Sequence, residues 1–204
     1  MKIKICGLSR MEDIEAVNAA GTDYIGFVFA KSRRQVSVSQ AERLTEALLS
    51  SVQRVGVFVD EQAGQIVDIV RRGIVDMVQL HGKESTSYVM DLKRQISCPV
   101  IKAIRMDQAE GTEITQTLLR YESAGVDYFL FDNGPGGTGE SFSWSTIPDT
   151  KVPYLLAGGI GLDNAAAAAK ASSAFALDVS SGAETDGKKD AEKIRRLVEL
   201  VHSL

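Results

Sequence analysis

The sequence predicts an α/β fold, a single (β/α)8 barrel over residues 1–204, on three observations. Short apolar runs alternate with longer segments of helical spacing from one terminus to the other; the runs number eight; and no Gly-x-Gly-x-x-Gly turn follows the first, as an open dinucleotide-binding sheet would carry. Eight units in 204 residues leave roughly 25 residues apiece, a compact version of a fold that usually takes about 250.

The predicted strands are Ile3–Cys6, Tyr24–Phe29, Val55–Val59, Val75–Leu80, Val100–Ile104, Tyr128–Asp132, Tyr154–Ala157 and Phe175–Val179. Most are near-continuous runs of Val, Ile, Phe and Tyr, the pattern of parallel strands covered on both faces. Between them, Ser9 with Glu12 and Ser39 with Glu42 fit capping boxes that open the first two helices, hydroxyl and carboxylate satisfying otherwise orphaned backbone donors. Ile66, Ile69 and Val70 mark the third helix, Val89 and Leu92 the fourth, and Ile114, Leu118 and Tyr121 the fifth. The sixth unit is the shortest, since Phe142–Ile147 leaves room for only one or two turns. Asn164–Lys170 holds five consecutive alanines, a strong helix former, and Ile194, Leu197, Val198 and Val201 repeat at i, i+3, i+4 and i+7 to close the chain.

Composition excludes several function classes. With 23 Lys+Arg against 27 Asp+Glu the formal net charge is -4, and no basic block is present that could neutralise a row of phosphates, so nucleic acid is not an expected partner. No apolar run approaches the roughly 20 residues needed to span a bilayer, and the N-terminus is too short and too alternating for a signal peptide, so no membrane partner and a cytoplasmic location are expected. The two cysteines, Cys6 and Cys98, are far apart and are expected to stay reduced; Cys98, beside Pro99 at the start of a strand, falls at the opposite end of the barrel and is read as structural.

In such a barrel chemistry belongs at the carboxyl ends of the strands. There the sequence places Cys6, Arg34 with Lys31 and Arg33, His81, Asp132, and the turns Gly158-Gly159 and Ser181-Gly182. Cys6 is either a base or nucleophile at the barrel mouth or a small buried hydrophobe. Asp132 ends an apolar strand, where burial favours the proton-donating form of a carboxyl, or else caps a turn. Arg34 either grips a carboxylate bidentately or belongs to a solvated basic loop. His81 either positions a substrate or catalytic group or is a hydrogen-bonded structural imidazole. Glycine turns after strands seven and eight are the places where barrels of this kind bind phosphate, on exposed N–H groups backed by a helix N-terminus. The stretch 134–139 after Asp132 offers either a mobile cover or a plain connection. His202 is read as a surface or packing residue. Period-two parity adds one inference: if Cys6 points into the barrel, so does Lys4 one layer below, and Asp178 on the adjoining eighth strand is the counter-charge that makes a supporting ion pair.

Together these motifs resemble the phosphoribosylanthranilate isomerase family over essentially the whole chain. The resemblance rests on Lys4-Ile5-Cys6-Gly7, Gly26-Phe27-Val28-Phe29 with Lys31-Ser32-Arg33-Arg34, Val55-Gly56-Val57-Phe58-Val59, Val78-Gln79-Leu80-His81-Gly82, Ile101-Lys102-Ala103, Phe131-Asp132, Gly136-Gly137-Thr138-Gly139 with Phe142 and Trp144, and Asp178-Val179-Ser180-Ser181-Gly182. The family commonly has a proline between Phe29 and Lys31, where this sequence has Ala30, so a slightly shorter loop is expected before Arg34. The resemblance implies an Amadori rearrangement in tryptophan biosynthesis: N-(5-phosphoribosyl)anthranilate becomes 1-(2-carboxyphenylamino)-1-deoxyribulose 5-phosphate, with no cofactor or metal. It further implies Asp132 as general acid, Cys6 as thiolate general base, Arg34 on the anthranilate carboxylate, and Gly158, Gly159, Ser181 and Gly182 on the phosphate of a small phosphosugar. Monomers and homodimers are both permitted. Two alternatives stand beside this reading. The histidine-pathway aldose-ketose isomerase uses carboxylates in both catalytic roles, which Cys6 argues against. A noncatalytic phosphate-ligand sensor would have no need for an acid and a base together.

Overall fold

The apolar runs form β1 (Lys2–Cys6), β2 (Tyr24–Val28), β3 (Gln53–Phe58), β4 (Met77–Leu80), β5 (Val100–Arg105), β6 (Tyr128–Asp132), β7 (Tyr154–Leu156) and β8 (Ala176–Val179). In a computed structural model of the chain, which describes residues 1–106, 111–132, 144 and 147–204, these eight pair in chain order, all parallel, and β8 returns to β1 to close the barrel. This is the TIM-barrel arrangement the sequence predicts, with strand ends within a residue or two of expectation.

Parity sorts the side chains. Ile3 and Ile5 of β1, with Ile25 and Phe27 of β2, belong to the core cluster that also holds the buried helix residues. Their alternates Val55, Met77, Ile101, Leu130, Leu155 and Ala176 form a separate cluster that fills the barrel. Around the strands run α1 (Met11–Ala20), α2 (Val38–Glu46), α3 (Ala63–Arg71), α4 (Thr86–Lys93), α5 (Gly111–Ser123), α6 (Ala165–Ala171) and α7 (Ala191–His202). α7 buries Ile194, Leu197, Val198 and Val201, the stripe read from the sequence. The polyalanine run is α6, burying Ala165 and Ala168. The short helix expected at 142–147 lies outside the described residues apart from Trp144 and Ile147, as does the 134–139 loop.

Both predicted capping boxes move. At α1 the carboxylate is Asp13, not Glu12: its Oδ2 accepts from the Ser9 and Arg10 amides at 2.9 and 3.0 Å, and Arg10 occupies the cap position. At α2 the cap is Ser37, whose Oγ accepts from the Gln40 amide at 3.1 Å, one position before the first helical residue; Ser39 lies inside the helix. The reason is register: Asp13 competes with Glu12, and Ser37 with Ser39, and burial of Asp13 and of Ala41 and Leu44 decides between them. A further element, unannounced by the apolar pattern, follows β8: a 3-10 turn at Ser181–Ala183 and a hairpin of β9 (Glu184–Thr185) and β10 (Lys188–Lys189).

Candidate active site

Cys6 is the last residue of β1, 8% exposed, and pairs in register with Gly26 of β2. A Cβ on Gly26 would stand 2.6 Å from the Cys6 Sγ, so the glycine is the space in which the thiol lies. One layer below, the fully buried Lys4 Nζ donates to Asp178 Oδ1 at 2.9 Å across the β1–β8 seam, the pair that parity predicts. Burial opposes the charge on Lys4, but Asp178 and then Cys6 outweigh it and hold the ammonium above its ordinary range. Burial pushes the Cys6 thiol up, against the pull of Lys4 and Lys189. Burial and the Asp178 carboxylate thus disfavour the thiolate of Cys6, and the Lys4 and Lys189 charges favour it.

Across the barrel mouth, Asp132 ends β6 and stays partly covered rather than enclosed, its side chain 13% exposed. Its Oδ2 lies 3.4 Å from His81 Nε2, and His81 Nδ1 is in turn 2.8 Å from the Gln79 side-chain nitrogen. Gln79 thus donates to Nδ1 and orients the imidazole with Nε2 toward the carboxylate. The Gln79 Oε1 is buried without a partner among the described residues. Gln79 is a functional residue beyond those expected from the sequence, where an amide in an apolar strand, two residues before His81 and on the same face, is the signal that would find it. Lys102 is another: its buried Nζ donates to Glu84 Oε2 and to the Gly82 carbonyl, each at 2.7 Å, and so pins the turn that follows His81.

After β7, Gly158 and Gly159 both take positive φ (87° and 70°). Gly182 packs this turn against the next: a Cβ there would fall 2.0 Å from the Ile160 carbonyl oxygen, so the turns after β7 and β8 meet backbone to backbone. Behind the first turn stands α6; behind the second is the 3-10 turn and hairpin rather than the helix the sequence predicts, since α7 begins only at Ala191.

One cavity of about 240 Å³ collects Cys6, Arg34, His81, Asp132, Gly158, Gly159 and Ser181, together with Asp178 and Gln79. Of the predicted residues, Lys4 supports the cavity from below and Gly182 from behind, without lining it. Cys98 is half-buried and unpaired at the far end of the barrel, and the exposed His202 bonds Asp23 there. Among the described residues no cluster of His, Cys, Asp and Glu has the makings of a metal site, and no helix is long and apolar enough to cross a membrane.

Comparison with known proteins matches residues 3–200 to the family model of N-(5'-phosphoribosyl)anthranilate (PRA) isomerase. A relative of that description from Endomicrobium trichonymphae is 40% identical over 207 residues, covering 100% of this chain and 99% of its own. A crystal structure of phosphoribosyl anthranilate isomerase in complex with reduced 1-(o-carboxyphenylamino)-1-deoxyribulose 5-phosphate superposes with a TM-score of 0.83 at 30% identity, with both chains fully covered. Monomers generated from the dimeric Thermotoga maritima isomerase give a TM-score of 0.82, again at 30% identity and full coverage of both chains.

Proposed function

The chain belongs to the N-(5'-phosphoribosyl)anthranilate isomerase family, and from that premise we propose how its residues divide the reaction. It is an isomerase of tryptophan biosynthesis that converts N-(5'-phosphoribosyl)anthranilate to 1-(2-carboxyphenylamino)-1-deoxyribulose 5-phosphate. Asp132 protonates the furanose ring oxygen; the C1'–O bond breaks and the anthranilate nitrogen lone pair forms an iminium. Cys6, as thiolate, removes the C2' proton, and the C–H electron pair moves into a C1'–C2' double bond while the iminium nitrogen regains its lone pair. The enolamine loses the C2' hydroxyl proton and gains one at C1', giving the ketone. One proton returns from Cys6 to Asp132 through solvent, so the sequence balances without cofactor, metal or redox partner.

Binding holds the two ends of the substrate so that the reacting carbons lie between base and acid. Arg34 takes the anthranilate carboxylate, and the backbone of Gly158, Gly159, Ser181 and Gly182 takes the phosphate. His81, held by Gln79, sets the orientation of Asp132. Lys4 and Asp178 support Cys6 from below, and the Lys4 charge favours the thiolate when it forms. The substrate is a small phosphosugar, with no nucleic acid or membrane partner; the chain works as a monomer or homodimer in the cytoplasm, where Cys6 and Cys98 remain free thiols. The observation that supports this division is the meeting of Cys6, Arg34, His81, Asp132, Gly158 and Ser181, from the ends of six strands, around one cavity.

The test is steady-state kinetics on freshly generated substrate. Cys6→Ser and Asp132→Asn should each lower kcat by about 10²-fold or more with product-analogue binding little changed. Arg34→Ala should instead weaken binding. Near-normal turnover in either of the first two removes that residue from its role.

A further inference from the structure

We propose that Glu184 is a positioning residue for recognition of the substrate carboxylate, holding one edge of the Arg34 guanidinium so that the other edge faces the cavity. The proposal deepens the reading above and rests on the role given there to Arg34.

Glu184 opens the β9–β10 hairpin with its side chain 5% exposed. Its Oε1 accepts from Arg34 Nε at 2.6 Å and its Oε2 from Arg34 Nη2 at 2.9 Å. Two parallel charge-assisted bonds fix a planar guanidinium in orientation as well as place. The Nη1 group has no partner among the described residues, and Arg34 lines the cavity. The stem is fixed too: a Cβ on Gly7 would lie 2.4 Å from Arg34 Cδ, so the aliphatic part of the arginine rests on the turn that follows Cys6.

Two more cations share the carboxylate, Arg33 Nη2 on Oε2 and Lys189 Nζ on Oε1, each at 2.7 Å. Three positive groups around one negative group leave the corner net positive, as an incoming carboxylate requires. The same hairpin reaches the other end of the chemistry. Lys189 Nζ donates to the Ser180 carbonyl at 2.9 Å, and Ser180 Oγ donates to the Cys6 carbonyl at 3.2 Å. One buried carboxylate thus sets the carboxylate-binding arginine in a fixed relation to the base.

The experiment compares two ligands by calorimetric titration: reduced 1-(o-carboxyphenylamino)-1-deoxyribulose 5-phosphate, and the same molecule without the ring carboxylate. E184Q should weaken the carboxylated ligand about tenfold or more and leave the other within about twofold, with KM rising more than kcat falls. Equal loss for both ligands, or loss for neither, makes Glu184 a structural residue only and overturns the proposal. E184Q strands the buried Lys189 ammonium, so the double variant E184Q/K189M, which removes both charges, must show the same selective loss if the single variant folds poorly. R34A separates the two readings. If R34A does not discriminate between the ligands, the role of Arg34 fails; if it does and E184Q does not, only the role of Glu184 fails.

Discussion

At Cys6 burial and charge pull in opposite directions, and the direction that wins decides how the site works. The thiol stands above its ordinary value of 9.0 because desolvation, together with the nearby Asp178 carboxylate, exceeds the help of Lys4 and Lys189. A high thiol pKa makes the base strong but scarce at neutral pH. Alkylation of Cys6 by iodoacetamide, followed by peptide mass, should therefore be slow at pH 7 and rise with a midpoint above 9; a midpoint near 7 would show a preformed thiolate and contradict the burial argument. Gly26 makes the position possible at all, by leaving the room that Sγ occupies. The inward side of β1 was legible because side chains alternate along a strand, so Lys4 and Cys6 share a face whatever the barrel does elsewhere. Glu184 was not legible. It lies 150 residues from Arg34, in a polar stretch whose pattern matches several kinds of turn.

At the scale of elements, the helices owe their place to apolar stripes and their ends to single hydrogen bonds. Ile194, Leu197, Val198 and Val201 leave no choice about which face of α7 is buried. The start of α2 is a closer contest between Ser37 and Ser39, two serines a helical fraction apart, and the structure awards it to Ser37. Ser37→Ala should cost about 1 kcal/mol in urea denaturation and Ser39→Ala much less; equal losses would place the helix start elsewhere. Gln40, three residues after Ser37, fits a capping box by sequence, yet its side chain spans to the Ser9 carbonyl at 2.6 Å and ties α2 to the loop after β1. The hairpin after β8 is the element that changes the site most, since it brings Glu184 and Lys189 beneath the cavity where a helix start was expected.

For the whole molecule, the charges set a stability window in pH. Burial works against the Glu184 carboxylate, but Arg34 and Lys189 outweigh it and hold its pKa below the usual 4.5; Asp23, likewise, is held below 3.8 by Lys2 and His202 against burial. Depressed carboxylates bind fewer protons folded than unfolded, so their contribution is present above those ordinary values and lost as pH falls through the folded ones. Cys6 and Lys4 are raised, so theirs is present below 9.0 and 10.5 and lost as pH climbs through their folded values, while burial holds Lys189 below 10.5 and so works the other way in part of that range. Tm by calorimetry should therefore be broad and flat near neutrality, fall below about pH 4.5 and fall again above about pH 9; a Tm that keeps rising above pH 9 would contradict the buried thiol and ammonium. The sequence by itself determined the number and order of the strands, the face each presents to the barrel, the Lys4–Asp178 pair and the residues that gather at the carboxyl ends, because periodicity and parallel register are local properties that closure then multiplies. Only the tertiary structure decided the partners across loops, Gln79 on His81 and Glu184 on Arg34, and the opposing pulls on Cys6, because those depend on how much solvent the closed barrel removes and on which charges the loops bring within reach.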